Sequence, residues 1–167
     1  MFRQIEDFIK TYENLTNGSI QIFSKLNGEN LNQSVAPGFR TLSQIAWHIV
    51  TTIPEMMNRT GLGISSVDYQ SPPPISAAEI AAAYRKASTE LMASVKTEWT
   101  NDSLVQTDDM YGEKWQKGMT LAALINHEIH HRGQMTVLLR QAGQQVPGVF
   151  GPSKEEWSNY GMPAPEY

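Results

Sequence analysis

The chain has 167 residues, of which 40% are hydrophobic and 18% charged, with a formal net charge of −4 at pH 7. This balance predicts a single domain over residues 1–167 with one buried core, and it argues against a nucleic-acid-binding surface, which would need a basic excess. No apolar run is long enough to span a membrane, and the absence of cysteine excludes disulfides and thiolate metal ligands.

Residues 2–27 repeat apolar side chains at steps of three and four, which predicts a first amphipathic helix. Gly18 lies inside this pattern, and because glycine costs about 1 kcal/mol relative to alanine in a helix, a break at this position is one alternative. The start of the chain carries acidic residues where a signal peptide would need an apolar run, which predicts a cytoplasmic protein. Residues 28–40 are polar and contain Pro37 and Gly38, which indicates a loop.

A second helix is predicted over residues 41–59. Thr41 and Gln44 have the spacing of a capping box, in which a side-chain acceptor at the helix start is followed three residues later by Gln. Pro54 lies within the apolar pattern and is expected to kink or end the helix. The following residues 60–75 contain glycines and a run of three prolines, which predicts another loop.

Ser76 and Glu79 form a second candidate capping box at the start of a third helix, whose apolar stripe continues to Trp99. Residues 100–118 are polar and irregular, and no segment alternates as a strand would. A fourth helix is predicted over residues 121–142, capped by Thr120 and followed by a Pro-rich C-terminal tail. The elements together predict an all-α protein, a four-helix bundle with long inter-helix loops and crossover connections.

His127 and His131 lie four residues apart in the fourth predicted helix, so both imidazoles leave the same face. The same face carries the apolar residues Leu124, Met135 and Leu138, which places the histidine pair against the core. A single core histidine usually only forms a hydrogen bond, whereas two at this spacing favour a shared metal ion. His130 lies on another face and is expected to be solvent-facing.

His48, at the edge of the apolar stripe in the second helix, is the natural third ligand. Three neutral imidazoles around a divalent ion would leave coordination positions for water or substrate, the arrangement of catalytic sites. Imidazole suits Zn, Ni or Fe, and ligand type alone does not distinguish them. Glu55, one heptad beyond His48, or Glu128 could add a carboxylate as ligand or general base, or could be a simple surface charge.

His127, Glu128 and His131 also match H-E-x-x-H, the metallopeptidase signature in which the Glu is the general base. Glu128 is therefore a candidate catalytic residue. The context argues against a peptidase, because Gln134 and Val137 stand where the metzincin extension would continue, and because no strand is predicted that could pair with a peptide substrate.

Two motifs together resemble the DinB-like (DinB/YfiT) family of metalloproteins. They are LSQIAWH, which ends at His48, and His127-x3-His131-Arg132-Gly133-Gln134. The resemblance covers nearly the whole chain and implies a four-helix bundle, usually a homodimer, with a divalent metal held by three histidines. Transferred to this sequence, those are His48, His127 and His131. Arg132 and Gln134 become candidates to orient a substrate or support the histidines, and Arg132 is equally a candidate surface or dimer-contact residue.

Some members of that family are thiol S-transferases that use low-molecular-weight thiols. The resemblance therefore implies a metal-dependent enzyme acting on a small molecule, with thiol transfer as one reaction class. Two alternatives stay open: a non-enzymatic metal-binding or stress-response protein, and a metal-dependent hydrolase.

Overall fold

Four α-helices surround one hydrophobic core in the computed structural model, which describes residues 1–166. They are α1 (Ile5–Phe23), α2 (Leu42–Met57), α3 (Ala77–Glu98) and α4 (Lys117–Gln141). Short 3₁₀ helices occupy Asn58–Thr60, Asn101–Val105 and Lys154–Tyr160, and a small sheet is formed by β1 (Thr107–Met110) and β2 (Glu113–Gln116). Within residues 1–166, no helix combines the length and hydropathy needed to cross a bilayer.

The principal helix contacts form a ring in which α2 packs against α3 and α4, and α1 packs against the same two helices. Helices α1 and α2 therefore lie across the core from each other, and so do α3 and α4. The long connections of the sequence make these crossings. The contact between α2 and α4 brings the two histidine-bearing helices together.

The start of α2 is fixed by the predicted capping box. The Thr41 side chain accepts a hydrogen bond of 3.3 Å from the Gln44 backbone, and the Gln44 side chain accepts one of 2.9 Å from the Thr41 backbone. The preceding loop is tied to the same turn, because the Leu42 amide donates to the Gln33 carbonyl at 2.7 Å. These hydrogen bonds tie the loop at Gln33 to the first turn of α2, so Arg40 lies between two segments whose backbone is held in place.

Two local predictions differ from the structure, and one alternative, a break in the first helix, is excluded. Ser76 precedes α3 without a side-chain capping hydrogen bond, so the second predicted capping box is wrong. Helix α4 begins at Lys117, about one turn before the predicted start, so Thr120 lies within the helix rather than capping it. Helix α1 runs unbroken through Gly18, where an added Cβ would lie 3.1 Å from Nη1 of Arg132, so glycine here allows α4 to approach closely.

The antiparallel hairpin of β1 and β2 corrects the prediction of an all-α fold without strands. Its two-residue turn, Tyr111-Gly112, has φ angles of 59° and 88°, as a type I′ turn requires. The hairpin is anchored by Lys117, whose buried ammonium donates to the Thr60 carbonyl at 2.6 Å and to Asp108 at 2.7 Å. Half of the strand residues are solvent-exposed and only Met110 is buried, so the strands lack the alternation that marks a half-buried strand.

Candidate metal centre

His48 from α2 and His127 and His131 from α4 meet at the contact between the two helices. Nε2 of His127 lies 3.1 Å from Nε2 of His48 and 3.1 Å from Nε2 of His131. One ring nitrogen from each histidine lies within 4.8 Å of the others. Two nitrogens bound to one zinc ion at about 2.0–2.1 Å are roughly 2.9–3.4 Å apart for octahedral to tetrahedral angles. The three predicted residues are therefore spaced to hold a single divalent ion.

All three imidazoles are held in the neutral form that binds metals. Burial is the main cause that lowers the pKa of His48 to about 4, and the positive charge of Arg40 lowers it further. Burial and the neighbouring His131 likewise lower the pKa of His127 to about 4. Burial lowers the pKa of His131 as well. Proton release therefore does not oppose metal binding at neutral pH.

Gln134 fixes the orientation of His131. Nδ1 of His131 lies 2.7 Å from Oε1 of Gln134, and because an amide oxygen can only accept, Nδ1 carries the hydrogen. The lone pair of His131 is then on Nε2, which faces His127. The amide nitrogen of Gln134 donates to Nε2 of His130 at 3.1 Å. His130 itself is exposed, as its position on the helix predicted.

Glu55 lies near the imidazoles without joining them. Its negative charge acts against burial and raises the pKa of His48 and His127, but this effect is smaller than the lowering caused by burial. Its own carboxylate oxygens accept hydrogen bonds from Arg59 at 3.0 Å and from the hydroxyl of Tyr111 at 2.6 Å. Among residues 1–166, the group of converging ligand atoms consists of the three histidines and does not include Glu55. The tip of the hairpin is thus held beside the site through Glu55.

Glu128 faces a different part of the core. It is 1% exposed, and its Oε1 accepts hydrogen bonds from the hydroxyls of Ser19 at 2.6 Å and Tyr84 at 2.5 Å. These partners belong to α1 and α3, whereas His127 faces α2. This position does not suit the general-base role that H-E-x-x-H predicts, because the carboxylate is engaged away from the imidazoles.

The model of the DinB family matches residues 1–166 of the chain. The chain belongs to the DinB family. It is 39% identical over 166 residues to a Bacillus subtilis (strain 168) protein, "Uncharacterized protein YrdA", and the match covers 99% of both chains.

Two solved DinB-like structures are similar to this DinB-family chain. One, from Bacillus cereus ATCC 10987, is 42% identical with a TM-score of 0.86, and the match covers 90% of this chain and 100% of that one. The other, YjoA from Bacillus subtilis, is 18% identical with a TM-score of 0.69, and the match covers 86% of this chain and 97% of that one. At that lower identity, the likeness shows the fold alone.

Arg132, in the second family-like motif, is almost fully buried in this DinB-family chain. It is 2% exposed, and its Nη1 donates to the Leu15 carbonyl at 3.0 Å and to the Ser19 hydroxyl at 3.2 Å. Together with Glu128 and Tyr84 it forms a buried polar network that joins α4 to α1 and α3. Sequence analysis missed this network, because the buried face of α4 toward α1 shows no distinct apolar stripe.

A cavity of about 380 Å³ opens beside His131. Its walls come from the loop before α2, from α2 itself and from α4; the lining residues are Val35, Phe39, Arg40, Ile45, His131, Gln134, Val137 and Leu138. Arg40 was not predicted as a functional residue, since the sequence only places it at the end of a polar loop. The cavity gives a small molecule access to one edge of the three-histidine cluster.

Proposed function

We propose that this DinB-family chain binds one divalent metal ion through His48, His127 and His131 and acts as a metal-dependent enzyme on a small molecule. The observation that carries the proposal is the convergence of three neutral imidazole nitrogens beside an accessible cavity. Three protein ligands leave coordination positions for water or substrate, whereas structural zinc sites are closed by four. Zn, Ni and Fe all suit imidazole ligands.

Thiol S-transfer to an electrophile is the reaction class we propose first. A divalent ion held by the three histidines would supply Lewis acidity toward a thiol cosubstrate. The chain has no cysteine, so a sulfur nucleophile would have to come from a low-molecular-weight thiol. Gln134 holds His131 in the metal-binding tautomer, and the wall of the adjacent cavity is largely apolar. Glu128, hydrogen-bonded elsewhere, takes no part in this proposal.

Metal content tests the site directly. Protein purified without a metal-binding tag is analysed for elements as wild type and as His48→Ala, His127→Ala and His131→Ala, with circular dichroism to verify folding. We expect close to one divalent ion per chain in the wild type and loss in each variant. His130→Ala is the matched control and should keep its ion. A folded wild type without metal, or full occupancy in the three variants, would contradict the proposal.

Activity assays separate the reaction classes. The metal-loaded protein is mixed with a small thiol and 1-chloro-2,4-dinitrobenzene, and thioether formation is followed by absorbance, with His127→Ala as control. Turnover that needs both thiol and metal supports S-transfer. Hydrolysis of a p-nitrophenyl ester without thiol would favour the hydrolase alternative. Unfolding on chelation without any turnover would favour a non-enzymatic metal protein.

The homodimer implied by the resemblance stays a prediction, which light scattering after gel filtration checks.

A further inference from the structure

The cavity beside His131 has an apolar rim that is open to solvent. Three large apolar side chains surround it, with exposed fractions of 66% for Phe39, 59% for Val35 and 54% for Val137. Isolated exposed apolar side chains are common, but several around one concavity mark a binding surface. The volume of about 380 Å³ lies at the lower end of the range for small-molecule sites, roughly 300–1,000 Å³. This cavity fits a compact apolar body.

Arg40 provides the charged group of the cavity. It is exposed, and the ion pairs formed within residues 1–166 do not include it. It lines the same cavity as His131 and Gln134. A guanidinium at the edge of an apolar cavity, next to neutral imidazoles, is suited to pair with an anion from outside the chain. The planar guanidinium matches a carboxylate with two parallel hydrogen bonds.

We infer that this cavity binds a small carboxylic acid with an apolar body, whose carboxylate pairs with Arg40 while the body lies against Val35, Phe39 and Val137. The inference rests on the proposed function in one respect: it names the substrate class of the same site, with His131 at the inner wall of the cavity. The pairing with Arg40 does not itself require a bound ion. It can therefore be measured with and without metal.

Calorimetric titration tests the inference with three probes at pH 7.5, on protein as purified and after chelation. 4-Phenylbutyrate carries both features, 4-phenylbutanamide keeps the apolar body without the charge, and acetate keeps the charge without the body. We expect 4-phenylbutyrate to bind at least tenfold more tightly than the other two probes. Arg40→Gln should weaken it roughly tenfold, as expected for loss of a charged hydrogen-bond partner. Arg85→Gln, at an exposed arginine on α3, is the matched control and should bind like the wild type.

Methyl-labelled NMR spectra locate the bound probe. 4-Phenylbutyrate should shift the methyl signals of Val35 and Val137, and Val137→Asp should weaken binding, because it places a negative charge at the rim. Equal affinity for wild type and Arg40→Gln, equal affinity for acid and amide, or shifts confined to another surface would each overturn the inference. Failure of the two proposals can be told apart. One ion per chain without probe binding would refute only the carboxylate site, whereas probe binding at Arg40 in a folded protein that takes up no divalent ion would refute only the metal enzyme.

Discussion

His131 and Gln134 are joined by a 2.7 Å hydrogen bond from the Nδ1 hydrogen of the imidazole to the amide oxygen. The two residues lie three positions apart on α4, where side chains of neighbouring turns meet. This bond selects the tautomer of His131 that presents Nε2 to the other two imidazoles. Residues that accept a hydrogen bond from a metal-binding histidine orient its ring, and their loss commonly lowers the affinity for the metal.

Gln134→Leu is expected to lower metal affinity about 10- to 100-fold, because His131 loses the acceptor that orients its ring. Competition with a chromophoric chelator measures the dissociation constant. Gln134→Glu keeps an acceptor at the same place and should restore most of the affinity. His130→Ala removes only the residue on the far side of the amide and should change affinity little. Equal affinities for wild type and Gln134→Leu would show that the hydrogen bond has no influence on binding.

The metal-free protein should lose stability on acidification. The pKa values of His48 and His127 are lowered from 6.5 to about 4 in the folded state. Between these values the unfolded chain binds more protons than the folded chain, so the free energy of unfolding falls as the pH drops from about 6.5 to about 4. The slope is at most about 1.4 kcal/mol per pH unit for each histidine, and it is smaller here because partial exposure screens the charges.

Urea unfolding of chelated protein at several pH values measures this dependence. The double variant His48→Gln/His127→Gln should show a distinctly shallower loss of stability over the same range. A slope identical to that of the wild type would mean that the two histidines are not the groups that take up protons on unfolding.

Tyr84→Phe should destabilise the fold by about 1–3 kcal/mol, because the buried carboxylate of Glu128 loses one of its two donors. Metal stoichiometry should not change, since this network lies away from the three imidazoles. Glu128→Gln should also keep its metal and any metal-dependent activity. Guanidinium unfolding and elemental analysis give the two readouts. An inactive Glu128→Gln variant that stays folded and metal-loaded would revive the general-base role.

Lys117→Met should cost about 1–3 kcal/mol of stability, because Asp108 and the Thr60 carbonyl lose a buried donor. The matched control is Lys114→Met, in β2 of the hairpin itself. Lys114 pairs with Asp109 at 3.8 Å with both side chains largely exposed, and such pairs contribute little. Thermal unfolding compares the two variants, and equal losses would show that the anchor at Lys117 does not hold the hairpin to the bundle.

The helices and the histidine cluster could be predicted because their signals are local. The four-residue spacing of His127 and His131 defines one face of a helix, and the apolar stripe near His48 defines another. The capping box at Thr41 is likewise a pattern of neighbouring residues, and the structure confirms it. Convergence of the two helices was inferred from the position of His48 on the apolar stripe of a predicted bundle, and the family resemblance implied the same three histidines.

The features that sequence analysis missed depend on tertiary contacts. Glu128 and Arg132 are charged residues, which are rarely buried, and their burial follows from the packing of α4 against α1 as well as α2. The hairpin escaped prediction because its turn places Tyr111 at positive φ, where Asn or Gly is usual, and because its strands are short and polar. Arg40 comes to line the cavity only when the loop before α2 folds beside α4.

The position of Arg40 also links the inferred carboxylate site to the stability of α2. Arg40 directly precedes Thr41, the N-cap of α2, where the aligned peptide dipoles of the helix carry a partial positive charge. A cation at this end is unfavourable by a few tenths of a kcal/mol up to about 1 kcal/mol, and a neutral or acidic residue would relieve that repulsion. Variants selected only for thermal resistance would therefore tend to replace Arg40 and lose the charged end of the cavity. Selection for thermal stability would therefore favour a neutral or acidic residue at position 40, whereas selection for carboxylate binding would favour arginine there.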